Sequence, residues 1–285
     1  MAARTAWYVL REHWFLYVFE GLELSIFMLS ACAFTVFLFA PSAAIVQLVP
    51  SAIERRAFMG IAMGLTAVLI IHSPMGKRSG AHFNPAITLS YLRLKKIAVP
   101  DAVGYVIGQF LGGVFGVWVA KLFFGTRLAD PKVDYAVTVP GRYGTSAAFF
   151  AELFMSALLM AAVLWMSNRP ALAKHTSSTV GSLIAFYILV FAPVSGFSIN
   201  PARTLGSAVF AQVWTSEWLY FVAPLGGMLG VAEIYSRVVG TNAIFCAKLH
   251  PDPRYLCPFR CHFPGHSHDR GAVANSEVVE GIRRI

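Results

Sequence analysis

Ser79-Gly80-Ala81-His82-Phe83-Asn84-Pro85-Ala86-Ile87-Thr88 is answered further along the chain by Ser195-Gly196-Phe197-Ser198-Ile199-Asn200-Pro201-Ala202-Arg203-Thr204. Asn is a strong helix N-cap, and Pro at the first helical position gives up no hydrogen bond. Asn84-Pro85-Ala86 and Asn200-Pro201-Ala202 therefore each read as the start of a helix, with the partial positive charge of a helix N-terminus at the asparagine. Each motif lies in or just before a short uncharged stretch, 79–92 and 204–216. Neither reaches the ~20 residues that a helix needs to cross a bilayer. Two readings stay open at this point. Either segment is re-entrant, which lipid permits only where irregular backbone is buried in protein or lines a wet cavity, or it is an amphipathic surface loop.

Outward from the motifs, the chain is apolar. Hydrophobic residues make up 57% and charged residues 13%, against roughly 25% charged in a soluble domain. An aqueous fold would leave much of that surface in water, so lipid is the expected solvent. The composition excludes a disordered chain, a collagen-like chain, a disulfide scaffold and an ordinary cytosolic enzyme. Six stretches nearly free of charge mark candidate spans: 24–53, 57–76, 102–120, 143–168 (with Glu152 inside), 175–202 and 218–232. The charges in 1–23 argue against a cleavable signal peptide.

With the amino terminus cytoplasmic, one side collects Arg4, Arg11, Lys77, Arg78, Arg93, Lys95, Lys96, Arg169, Lys174 and every Lys and Arg from Arg237 onward. The other side holds Arg55, Arg56, Lys121, Arg127, Lys132, Arg142 and Arg203. The asymmetry predicts both termini inside, and it accounts for the net charge of +9 without nucleic acid.

The duplication extends beyond the motifs. Glu20 near the first span is echoed by Glu152 in the fourth, and Gly108, Gly112 and Gly116 by Gly226 and Gly230. Glycines at this spacing let helices approach closely in lipid. Each half holds three spans, an odd number, so the halves face opposite ways and the two motifs enter from opposite sides. The expected fold is an all-α membrane protein with six transmembrane helices, two re-entrant half-helices and an inverted repeat. Two positive helix ends meeting at the midplane disfavour cations and suit neutral molecules with lone pairs.

These motifs and six spans resemble the aquaporin, or major intrinsic protein, family over roughly 12–240. The resemblance implies passive conduction of water or small neutral solutes across a cell membrane through a pore in each protomer of a homotetramer, without a cofactor. It divides the chain into a cytoplasmic N-terminus (1–12), a first repeat (13–125) with half-helix 84–94, a connecting loop (126–145), a second repeat (146–239) with half-helix 201–212, and a cytoplasmic tail (240–285). It makes Arg203 the constriction arginine, with Ile188, Phe197 and Met63 as its companions and Gly64 as rival to Met63. It gives Glu20 and Glu152 the task of holding the re-entrant loops, with His82 bonding its own loop or lining the pore.

The selectivity signals divide. Phe197 resembles glycerol-conducting members, whereas Thr204, Ala208, Tyr220 and Phe221 resemble water-selective ones. A glycerol facilitator is the alternative reading, and an ion-coupled transporter a more distant one. No phosphate-binding loop, metalloprotease motif or nucleophile elbow marks an enzyme. In the tail, Cys257, Cys261, His262, His266 and His268 match none of the common zinc frameworks well. The expectation is a solvated tail with reduced thiols and no metal.

Overall fold

The computed structural model describes residues 2–264. Its long helices are α1 (Ala2–Phe39) and α2 (Ala52–His72), followed by the short α3 (Pro85–Arg93). The first half closes with α4 (Val99–Phe124). The second half runs through α5 (Gly144–Ser167), α6 (Thr176–Ser195), the short α7 (Pro201–Ala211) and α8 (Leu219–Val238). Among the described residues, six helices are long and apolar enough to span a membrane. At ~1.5 Å per residue, α3 and α7 reach about half way through a ~30 Å hydrocarbon layer, so the surface-loop reading of these segments falls away.

The first two spans begin earlier than charge counting suggests. The first runs over Val9–Phe39 rather than 24–53, because Glu20 and Glu23 lie fully buried against protein partners instead of facing lipid. The helix stops before Pro41. The second begins at Ala52 with Ser51 as cap, its Oγ accepting from the Glu54 amide. Arg55 Nη1 at its start donates to the carbonyls of Val46 and Val49.

Helices pair as α1 with α4, α5 with α8, and α2 with α6. Each half-helix packs on the third span of the opposite repeat, α3 on α8 and α7 on α4, so neither repeat closes its own core. Contact between α1 and α4 is backbone against backbone. A Cβ at Gly108, Gly112 or Gly116 would collide with the carbonyls of Tyr17, Gly21 or Ser25. Ser25 Oγ bridges this seam, donating to Gly21 O at 2.7 Å and Gly112 O at 2.8 Å. In the second repeat the glycine in that role is Gly227, set against Leu153 O. Gly226 and Gly230, singled out by their spacing, are not the close contacts; a Cβ at Gly230 meets nothing within 4 Å. Outward-facing Leu69, Leu111, Phe123, Phe150 and Ile234 are more than half exposed, as a lipid-facing surface requires.

Within the described residues the tail is packed on the bundle rather than solvated. Ile244, Cys246, Leu249, Cys257, Phe259 and Cys261 are buried. The chain between them crosses the loop before α3, where the Leu249 amide donates to Gly80 O at 3.0 Å. His266 and His268 lie outside the described residues.

Gly112→Val forces α1 from α4 and is expected to lower thermal stability in detergent by about 1–3 kcal/mol or more, whereas Gly230→Ala leaves the midpoint unchanged or slightly raised. Equal losses in the two variants would refute the packing difference between the seams.

Candidate functional site

Asn84 and Asn200 cap α3 and α7, as their residue type dictates. Asn84 Oδ1 accepts from the Ala86 amide at 2.9 Å. Asn200 Oδ1 accepts from the Ala202 amide at 3.1 Å and the Arg203 amide at 3.3 Å. With the oxygens turned to their own helices, the amino groups face the other repeat. Asn84 Nδ2 donates to Ile199 O at 2.8 Å, and Asn200 Nδ2 donates to Phe83 O at 2.8 Å. The half-helices are thus tied tip to tip by a reciprocal pair of bonds. Each amide carries two protons, so one per asparagine is engaged across the repeat.

The accepting carbonyls reach these positions because the loops are wound against their preference. Phe83 (φ 30°) and Ile199 (φ 51°), like Ala81 and Phe197 (both φ 57°), occupy left-handed backbone without being glycine. Such residues cost about 1–3 kcal/mol each and persist where the surroundings over-determine them. Two buried carboxylates do that. Glu20 accepts from the amides of His82 at 2.9 Å and Phe83 at 2.6 Å, and Glu152 from those of Ser198 at 2.9 Å and Ile199 at 2.6 Å.

Further bonds repeat the pairing. Tyr105 OH donates to Ser79 O and Tyr220 OH to Ser195 O, both at 2.6 Å. Tyr105, Gln109 and Glu23 escaped the sequence reading. Tyr105 was findable, since Tyr220 is its near-equivalent in the second repeat. Gln109 Nε2 donates to Glu20 at 2.8 Å. Glu23 accepts from Ser79 Oγ at 2.7 Å, the place that Glu152 itself fills for Ser195.

His82 is fully buried and turned to protein. Its Nδ1 lies 3.1 Å from Thr88 Oγ1 on its own half-helix and its Nε2 2.8 Å from Ala247 O in the tail. A carbonyl only accepts, so Nε2 carries the proton and Nδ1 accepts from Thr88. The ring is stacked between Tyr91 and Phe259.

On the face opposite the termini, Met63, Ile188, Phe197 and Arg203 line one cavity of about 310 Å³ together with Phe27, Arg56 and Lys132. Gly64 does not. It points at α6, where a Cβ would strike Gly181 O. Arg203 is 8% exposed, and its Nη1 has no hydrogen-bond partner among the described residues. The wall is mostly apolar, interrupted by Thr35 and the positive groups of Arg56, Lys132 and Arg203. Val133, Ala136 and Val137 of the connecting loop line its side, and Thr138 Oγ1 donates to Thr204 Oγ1 at 3.1 Å.

At the other end lie the tail and the only metal-capable cluster among the described residues: Cys246, Cys257 and Cys261, all buried, their sulfurs within 4.8 Å of one another. Nearby, hydrogen bonding from Arg254 holds the Asp252 carboxyl well below the usual range, and Asp252 pairs with Lys77 at 3.2 Å. Burial pushes His250 down to about 4.

A family model described as major intrinsic protein matches residues 25–235. The chain is 33% identical to the glycerol uptake facilitator protein-like 6 of Lactiplantibacillus plantarum over 187 residues, 65% of this chain and 85% of that protein. It is 30% identical to nodulin-26 of Glycine max (65% and 67%) and 29% identical to aquaporin NIP1-2 of Arabidopsis thaliana, of which the match spans 63%. The aquaglyceroporin of Plasmodium falciparum superposes with a TM-score of 0.62 at 20% identity, covering 80% of this chain and 97% of that one, a likeness of fold alone.

Glu152→Ala strips the acceptor from Ser195 Oγ and from two buried amides. Each orphaned donor costs about 1–3 kcal/mol, so a loss of several kcal/mol is expected in thermal unfolding of the detergent-solubilised protein. A loss below 1 kcal/mol would show that the carboxylate does not hold the loop.

Proposed function

The chain belongs to the major intrinsic protein family, and on that premise we propose that it is a passive channel for water that excludes ions and protons. The observation that carries this reading is the reciprocal tie between Asn84 and Asn200, which brings the positive ends of α3 and α7 together. One amide proton on each asparagine is not needed for the tie and is offered to the lone pairs of a passing molecule. Arg203 supplies a second donor station through Nη1, beside the apolar walls of Met63, Ile188 and Phe197.

Magnitudes separate cations from neutral guests. Two half-charges at about 5 Å and an effective dielectric of about 20 cost a monovalent cation about 3 kcal/mol. The Arg203 charge adds about 3 kcal/mol more at the same separation. Each suppresses a cation's occupancy at its own station by roughly two decades, and water suffers neither term. Glu20 and Glu152 offer a cation little relief, since Glu20 is engaged by loop amides and Gln109, and Glu152 by loop amides and the Ser195 hydroxyl.

A second reading, facilitation of glycerol or another small uncharged solute, is supported by the apolar character of the Met63, Ile188 and Phe197 wall, which suits a carbon skeleton. The excess of basic residues on the terminal face supports cytoplasmic termini, and the family resemblance supports a homotetramer in the cell membrane. Coupling to ions would require flux that follows pH or sodium.

Purified protein in liposomes is expected to speed osmotic shrinkage with a low activation energy, no proton current and no dependence on sodium. Unaccelerated shrinkage would overturn water conduction, and the same assay with glycerol and urea separates the two readings. Arg203→Val is expected to raise cation or solute leak at least tenfold while the protein remains folded. Unchanged exclusion would remove Arg203 from the constriction.

A further inference from the structure

We propose that Cys246, Cys257 and Cys261 form a zinc site that clips the tail onto the terminal face of the bundle. Zinc–thiolate bonds of about 2.3 Å in tetrahedral geometry place sulfurs about 3.8 Å apart. Cys246 Sγ and Cys257 Sγ are 3.5 Å apart, and all three sulfurs lie within 4.8 Å of one another. The approach is too long for a disulfide and close to what a shared ion requires. Three thiolates and one water complete the tetrahedron.

Two backbone amides point at the sulfurs. The Lys248 amide donates to Cys246 Sγ and the Phe263 amide to Cys261 Sγ, each at 3.4 Å. In both cases the donor lies two residues after the cysteine. Such bonds strengthen when sulfur is charged and orient metal ligands. Lys248 is fully buried. Its Nζ donates to the carbonyls of Lys77 and Leu256 at 2.7 Å and 2.9 Å and meets no carboxylate among the described residues. Lys96 is 5% exposed and within electrostatic range of Cys246 and Cys261. A buried cation needs a compensating anion. A zinc ion with three thiolates carries one net negative charge and provides it.

The clip has a mechanical consequence. The same stretch holds Ala247 O on His82 and Leu249 on Gly80, so an ion in the cluster fixes the tail on the loop that precedes Asn84. Metal binding releases three thiol protons and ties residues far apart in sequence.

The test is metal analysis of the full-length protein purified without chelator, with cobalt as spectroscopic probe. One zinc per chain is expected, and cobalt added to apoprotein should give a thiolate-to-cobalt charge-transfer band that zinc displaces. Cys257→Ser should lose both, and Cys32→Ala neither. Chelation should speed tryptic cleavage at Arg254 or Arg260 at least tenfold. Metal-free protein in which cobalt gives no such band would overturn the proposal, as would a Cys246–Cys257 disulfide found by mass spectrometry. The wild-type titration decides the matter even if the serine variant fails to fold, and none of these readouts depends on solute flux.

Discussion

The two bonds by which Asn84 and Asn200 each grip the carbonyl before the other are the constraint on which the remaining architecture turns. They require two helix starts to meet in the buried interior of the bundle, where an unsatisfied amide is costly. Everything around them serves that meeting. The half-helices have the length to reach the middle, and each leans on the last span of the other repeat. Left-handed residues at matched places turn Phe83 O and Ile199 O toward their partners.

Strain of that kind must be held, and the holding explains two acids in a lipid-embedded chain. Glu20 and Glu152 are buried at sites where several donors converge, so their desolvation is offset by hydrogen bonds that no neutral side chain of that shape supplies as well. The repeats are not identical copies. Glu152 serves both the serine and the loop amides, whereas in the first repeat Glu20 takes the amides and Glu23 takes Ser79. His82 reaches into the tail, while its counterpart Ser198 turns to Thr204. On the tail side His82 is thereby turned to protein, and the opposite face opens into a cavity lined by Arg203.

Much of this was legible before any coordinates. Asn-Pro-Ala states its own cap, uncharged stretches announce their solvent, and an odd number of spans per half dictates inversion. The misreadings share a cause. The first span was placed too late because a buried acid with partners looks, in a sequence, like a charge facing lipid. Gly226 and Gly230 were chosen by spacing, yet Gly227 carries the contact, because which glycine faces a neighbour depends on helix rotation. The tail looked solvated because its cysteines match no common spacing, although three of them converge in space.

The sequence by itself determined the number of spans, the two capped half-helices and their opposed entry, since these follow from hydrogen-bonding and solvation rules that act over a few residues. Only the tertiary structure decided that Asn84 binds Ile199 O, that Met63 and not Gly64 faces the cavity, and that Ala247 reaches His82. Those contacts join residues remote along the chain, and no local rule sets the rotation and depth at which packed helices come to rest.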